Sequence, residues 1–210
     1  MLGLQEALKF QLDEILQALP GYSYCGVARE DGREHGEHAA ILYRQDRFRI
    51  LRTDTVWFSD QPYQPGSSTW GNVNTRIFTW AFFEDLPTRK FFYHYNLHID
   101  HENGSSRHRS IKMLLSQIRD RATDDPVLVT GDFNVGTDND VIELMRAADF
   151  RDAHHDFPTY SGFEELSGPK IDYIFVDPSW QVHAAGTMGE KINGRWPSDH
   201  IGLTADLVLR

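Results

Sequence analysis

The chain has 210 residues, 40% of them hydrophobic and 12% aromatic, enough to bury one sizeable core and within the range of a single domain. Its 21 Lys and Arg against 31 Asp and Glu leave a formal net charge of -10, which disfavours tight non-specific binding to a polyanion such as a long nucleic acid. A single cysteine, Cys25, excludes an intramolecular disulfide framework, and no apolar run approaches membrane-spanning length.

Apolar residues at Leu4, Leu8, Leu12, Ile15, Leu16 and Leu19 recur at three-and-four spacing and predict an amphipathic helix over 4–19, stopped by Pro20-Gly21. Segments 22–27, 39–44, 48–58, 75–83 and 90–98 are rich in aromatic and β-branched residues and read as strands. A long polar loop over 59–74 collects prolines, glycines and serines around Tyr63 and Trp70. Ser105 or Ser106 is the expected cap of a helix whose apolar stripe is Ile111, Leu114, Leu115 and Ile118. A buried strand over 127–130 follows, then a short helix over 140–148 and strands over 171–176 and 201–209. Strands and helices interleave without a strict βαβ rhythm, so the expected fold class is α/β with two mixed sheets covered by helices.

Polar and acidic residues gather at segment ends: Gln5-Glu6, then Asn96, His98 and Asp100, then Gly131-Asp132-Phe133-Asn134, then Ser198-Asp199-His200. Segment ends are where sites form on α/β sheets. Glu6, Asp132, Asn134 and Asp199 supply oxygen donors suited to a hard cation such as Mg²⁺, leaving His98 and His200 to face a phosphate. Each motif also has a structural reading by itself: a solvated helix start at Gln5-Glu6, an Asx-type turn at Asp132, a loop cap at Ser198, a satisfied strand histidine at His98.

Together and in this order, Gln5-Glu6, Asn96-Leu97-His98-Ile99-Asp100, Gly131-Asp132-Phe133-Asn134, Ile171-Asp172-Tyr173-Ile174 and Ser198-Asp199-His200 resemble the endonuclease/exonuclease/phosphatase superfamily of DNase I-like enzymes. The resemblance implies a four-layer α/β sandwich of two mixed sheets flanked by helices. It also implies divalent-metal-dependent hydrolysis of a phosphate ester, with Mg²⁺ or Mn²⁺ as cofactor. Carried over to these positions, Glu6 is the principal metal ligand with Asp199 assisting. Asp132 orients or deprotonates the attacking water, and Asn134 holds water or a phosphate oxygen. His200 binds the scissile phosphate under the control of Asp172, His98 is a second phosphate donor, and Asn96 stands beside it. Arg76 and Arg107 are the expected substrate cations, with Arg109, Lys170, Lys191 and Arg195 as further positive groups, against the alternative that such residues are simply solvated; Trp70 and Trp196 either stack on a base or sugar ring or are partly core.

The superfamily opens with a further strand and helix before the Gln-Glu motif, so residues 1–210 are expected to be an N-terminally incomplete single domain. A small phosphodiester or phosphomonoester is the expected substrate and a nucleic acid the alternative. An inactive phosphate-binding fragment is a third reading. Asn96-Leu97-His98-Ile99-Asp100-His101 also approaches the zinc motif of metallo-β-lactamase-like hydrolases, although that fold leaves Gly131-Asp132-Phe133-Asn134 and Ser198-Asp199-His200 unexplained. No export signal is visible, which makes a cytoplasmic setting the default expectation; oligomeric state is left open.

Overall fold

The computed structural model describes residues 1–154, 157–164 and 168–210. Strand β1 (Leu2–Ala7) leads into helix α1 (Lys9–Ala18), then β2 (Tyr22–Cys25) and β3 (His38–Arg44), and these strands form a three-stranded sheet in the order β1-β3-β2. The helix expected over 4–19 therefore begins later, at Lys9, with the Gln11 side chain accepting from the Leu8 backbone N–H at 2.9 Å. Leu4 and Leu8 fit helical spacing, but Leu2 and Leu4 also fit a strand's period of two, and pairing with Leu42 and Ala40 on β3 selects the strand. Helix α1 closes over the sheet, with Leu12, Ile15 and Leu16 packed against Leu4, Ala7, Ala40 and Leu42.

Strands β4 (Phe48–Trp57), β5 (Ile77–Asp85) and β6 (Lys90–His98) make an antiparallel meander, as their aromatic and β-branched content predicts. Helix α2 (Gly104–Arg119) then crosses over to β7 (Val127–Asp132), which lies parallel to β6. Its cap is Asn103, whose side chain accepts from the Ser106 N–H at 3.0 Å, rather than either expected serine; Ser106 instead points inward, fully buried. Helix α3 (Asp140–Ala147) precedes β8 (Arg151–Asp152) and β9 (Asp172–Val176), completing a six-stranded mixed sheet in the order β4-β5-β6-β7-β9-β8. The chain ends with β10 (Trp180–Met188) paired to β11 (Gly202–Leu209). Strands β8 and β10 are absent from the sequence reading; most of β10 is exposed, so no apolar alternation marks it.

Two cores hold the layers together. Ile111, Leu114, Ile142 and Met145 of the outer helices pack on Tyr95, Leu97, Val129 and Phe175 of the large sheet. On its other face Phe83, Phe92 and Leu128 meet Ile41, Trp180 and Leu207 of the smaller sheets. Helix, small sheets, large sheet and helices form the expected four-layer sandwich.

Two glycines set the spacing around the site. A Cβ on Gly131 would overlap the Leu97 carbonyl across the β6–β7 pair, and one on Gly3 would overlap Thr130 and Asn96 beneath β1. Gly131→Ala is expected to lower stability by about 1–3 kcal/mol, read as a drop in the chemical-denaturation midpoint, because backbone atoms rather than a flexible side chain have to move.

Candidate active site

Parallel pairing of β6 with β7 aligns His98 with Asp132, and antiparallel pairing of β7 with β9 aligns Asp132 with Asp172. Residues distant in sequence thus reach one end of the sheet. His200 arrives from the turn before β11, where its backbone N–H meets the Ser198 hydroxyl at 3.0 Å and a bridge to Tyr160 ties it to the opposite loop. Asp132 Oδ1 accepts from the Asn134 N–H at 2.8 Å, an Asx-type turn, while its other oxygen lies 3.4 Å from His98 Nε2.

Asp132, Asp172 and His200 each offer a ligand atom within 4.8 Å of the others. His200 Nδ1 lies 2.8 Å from Asp172 Oδ2, so the Nδ1–H donates and Nε2 is free to face the cleft. Burial by itself lowers the imidazole pKa, but the hydrogen bond and charge of Asp172, with Asp132 and Asp199, outweigh it and lift the value to about 9. Burial, and next the Asp172 carboxylate, push Asp132 up to about 7. The Tyr160 ring meets His200 edge-on at 5.3 Å and holds the imidazole from the side.

A second group, Glu6, Glu37 and His98, adjoins the first. Glu6 sits at a register shift of β1 with φ 58, and Asn134 has φ 52, a left-handed conformation that costs a non-glycine residue about 1–2 kcal/mol. Strain at two site residues marks positions where the backbone is held to aim a side chain. Glu6 Oε1 lies 3.9 Å from His98 Nε2. Glu37 is paired with Arg29, whereas the Glu6 side chain is largely exposed.

Several expected residues stand elsewhere. Asn96 is fully buried between the sheets: its amide donates to the Leu4 and Ala40 carbonyls at 2.8 and 3.0 Å and accepts from Gln5 and Thr130. It ties β1 and β3 to β6 and does not face substrate. Asp199, expected beside Glu6, joins neither ligand group; its backbone carbonyl accepts from the Ser161 and Gly162 N–H groups and fixes the turn that carries His200. Arg107 donates to the Asp100 carbonyl at 3.0 Å at the start of α2 and belongs to neither group.

His98 differs from its expected role as a phosphate donor. Arg76 Nη1 lies 2.7 Å from His98 Nε2, and a guanidinium has only donors, so that nitrogen accepts and carries no proton. Burial, then the Arg76 charge, hold the His98 pKa well below the ordinary value. The positive charge at this position therefore belongs to Arg76, which is buried and also donates to His101 Nδ1 at 2.9 Å. Asn134 turns its amide to the Ile99 carbonyl at 3.0 Å.

Glu37, Arg29 and Tyr160 escaped the sequence reading, since only tertiary placement brings them to the site. Of the remaining cations, Arg109 pairs with Asp60 at 2.6 Å, Lys170 with Asp152, and Lys191 lies over the Trp196 ring at 5.4 Å. Asp100 of the zinc-like motif accepts backbone N–H groups of Val73, Glu102 and Asn103 at 2.7 to 3.0 Å and holds a loop, so it is not placed as a zinc ligand.

Residues 1–200 match the Endonuclease/Exonuclease/phosphatase family. The chain belongs to that family. Among solved structures it is similar to an endonuclease/exonuclease/phosphatase from Bacteroides vulgatus, 33% identical with a TM-score of 0.93, covering 99% of this chain and 84% of that one. It is also similar to a mannosyl-6-phosphatase from Bacteroides thetaiotaomicron, 33% identical with a TM-score of 0.90 and the same coverage. The human Nocturnin catalytic domain, 16% identical over 99% of this chain and 79% of that one with a TM-score of 0.75, shares the fold. Among curated proteins, the uncharacterized protein L388 of Acanthamoeba polyphaga mimivirus is 31% identical over 62% of this chain. The chain covers 51% of that relative's length. Among the described residues no helix is long and apolar enough to cross a membrane.

Proposed function

We propose that this protein is a divalent-metal-dependent hydrolase of small phosphate esters. The observation that carries the reading is the convergence of Asp132, Asp172 and His200 within 4.8 Å, with His200 oriented by Asp172. Hydrolysis of a phosphate ester needs a base on the side of the attacking water and positive charge where the non-bridging oxygens become more negative. A carboxyl at about 7 is a far better base near neutral pH than an ordinary aspartate, and Asp132 fills that role. His200, protonated at neutral pH and held by Asp172, places an N–H toward the phosphate. Arg76 adds fixed charge behind His98.

The donor set fits a hard cation. Glu6 offers an exposed carboxylate beside Glu37, and Asp132 and Asp172 are crowded acidic groups whose mutual repulsion a cation relieves. Glu6 would hold Mg²⁺ or Mn²⁺, with Asp132 and Asp172 close by. When bound, the ion supplies positive charge to the phosphate oxygens.

Substrate size follows from charge. Arg109, Lys170 and Arg107 are bound to Asp60, Asp152 and the Asp100 carbonyl, which leaves fewer of the expected cations for a nucleic-acid backbone. A sugar phosphate is the first substrate class, given the 33% identity to a mannosyl-6-phosphatase.

Assays with mannose 6-phosphate, p-nitrophenyl phosphate, bis-p-nitrophenyl phosphate and plasmid DNA, each with Mg²⁺, Mn²⁺ or EDTA, test this reading. Turnover of a small ester is expected with metal and a loss of at least about 100-fold in EDTA, with His200→Ala silent throughout. Phosphate binding without turnover under every metal would instead favour the inactive binding protein, and faster cleavage of plasmid DNA the nuclease.

A further inference from the structure

Asp172 and His200 meet across two different sheets. Asp172 heads β9 of the six-stranded sheet, and His200 precedes β11 of the two-stranded one. Their 2.8 Å contact, on which the His200 tautomer depends, is therefore set by how two separately paired sheets sit against each other. A slip of about 1 Å between reacting groups can cost on the order of 10²-fold in rate, so a direct tie between the two strand starts has a catalytic consequence.

Residues 159–161 supply such a tie. The Thr159 hydroxyl oxygen accepts from the backbone N–H groups of Ile171 at 2.9 Å and Asp172 at 3.1 Å. An extended strand turns successive N–H groups to opposite sides, so two that share one oxygen mark where β9 leaves its ladder, at the β7–β9 pair of Asp132 with Asp172. The Thr159 carbonyl accepts from the N–H of Ile201, the residue after His200, at 2.7 Å. Tyr160 bridges to His200 itself, and the Ser161 N–H and hydroxyl both donate to the Asp199 carbonyl, at 2.7 and 3.0 Å. The Ile171 carbonyl in turn accepts from the Phe133 N–H at 2.8 Å, next to Asp132. Thr159 is fully buried, and a β-branched side chain keeps few χ1 arrangements, so its oxygen is fixed in place.

We propose that Thr159 is a positioning residue for hydrolysis: its hydroxyl and its carbonyl splint the start of β9 to the turn before β11 and so hold Asp172 against His200. This rests on the reading of those two residues as catalytic partners under the proposed function. A plain loop anchor needs one end of this arrangement. Thr159 holds both, by side chain on one side and main chain on the other, and the two ends carry the two members of one hydrogen-bonded pair. Being buried, it touches no substrate and acts only through Asp172 and His200. Valine has nearly the same shape without the oxygen, which deprives two N–H groups of their acceptor and frees the Asp172 backbone to shift.

Steady-state kinetics and proton NMR of Thr159→Val and Thr159→Ser test the splint. In Thr159→Val, kcat for the best small ester is expected to fall about 10- to 100-fold, with KM within about threefold of wild type. Thr159→Ser keeps the oxygen and is expected to return kcat to within about threefold. The downfield resonance of the His200 Nδ1–H, assigned by its absence in His200→Gln, is expected to be sharp in wild type and Thr159→Ser. In Thr159→Val it broadens or disappears as the proton exchanges with water. If valine prevents folding, Thr159→Ala, which leaves room for a water, takes its place with the same expectations. A folded variant without the oxygen that keeps both kcat and the resonance overturns the proposal, whatever its melting temperature. So does the absence of the resonance in wild type, since the pair is then not held. The resonance needs no turnover: if no phosphate ester is hydrolysed, the hydrolase reading fails while the splint is still judged on the Nδ1–H signal.

Discussion

Asp132→Asn is expected to cut turnover by about 10²- to 10⁴-fold while raising the melting temperature above neutral pH. Both effects come from the same carboxyl. Asp132 is nearly fully buried beside Asp172, and burial followed by that neighbouring charge holds its pKa at about 7 against an ordinary 3.8. Between those values the folded chain keeps a proton that the unfolded chain has released, so stability falls as pH rises through the window. Asparagine has no proton to lose, still accepts from the Asn134 N–H, and keeps the volume of the side chain. Its advantage is therefore absent below the ordinary carboxylate range, grows toward 7 and levels off above it, at on the order of a few kcal/mol. Melting both proteins at pH 5 and pH 8 in EDTA, then with Mg²⁺, checks the pattern. A divalent cation offsets the buried negative charge and is expected to narrow the gap. An Asp132→Asn enzyme that turns over normally would remove Asp132 from its role as base.

Much of this site is legible in the sequence because strand ends carry it. His98, Asp132 and Asp172 fall on three neighbouring strands whose registers align them, and each stands next to an apolar run that a reader can delimit. His200 is legible through the Ser198 turn that precedes the last strand. Asn96 misleads for the same reason: alternation puts it on the face of His98, but nothing local says that the β1–β3 sheet lies over that face and absorbs its amide. Glu37 and Tyr160 come from segments with no local motif, and only the folding of one sheet over the other brings them near. Arg76 is a substrate cation on sequence grounds, yet its pairing with His98 makes Nε2 of that ring an acceptor, which depends on a contact 22 residues away. The start of α1 was obscured by a chance agreement between periods, since Leu4 suits a helix with Leu8 and a strand with Leu2.

Asp172→Asn is expected to lower kcat/KM by about 10²- to 10⁴-fold and to move the alkaline limb of the pH profile downward. Asp172 does two things for His200. Its oxygen accepts the Nδ1–H at 2.8 Å, which fixes the tautomer, and its charge helps to keep the ring protonated up to about 9. An amide oxygen can still accept that hydrogen bond but supplies no charge, while an amide N–H turned toward Nδ1 moves the ring proton to Nε2. In either orientation the Asp132 and Asp199 charges remain, so the imidazole pKa falls without collapsing. Wild-type activity that needs Asp132 ionised and His200 protonated rises through about 7 and declines through about 9 without added charge at the site. A bound cation extends the acid side, because it favours ionised Asp132, and leaves the alkaline limb to His200. The variant should lose activity earlier on the alkaline side, and its acid limb should also move down, because the Asp172 charge that helps hold the Asp132 carboxyl up is gone. If its alkaline limb stays near 9 with only kcat reduced, Asp172 orients the ring without controlling its charge; unchanged activity would separate Asp172 from His200 altogether.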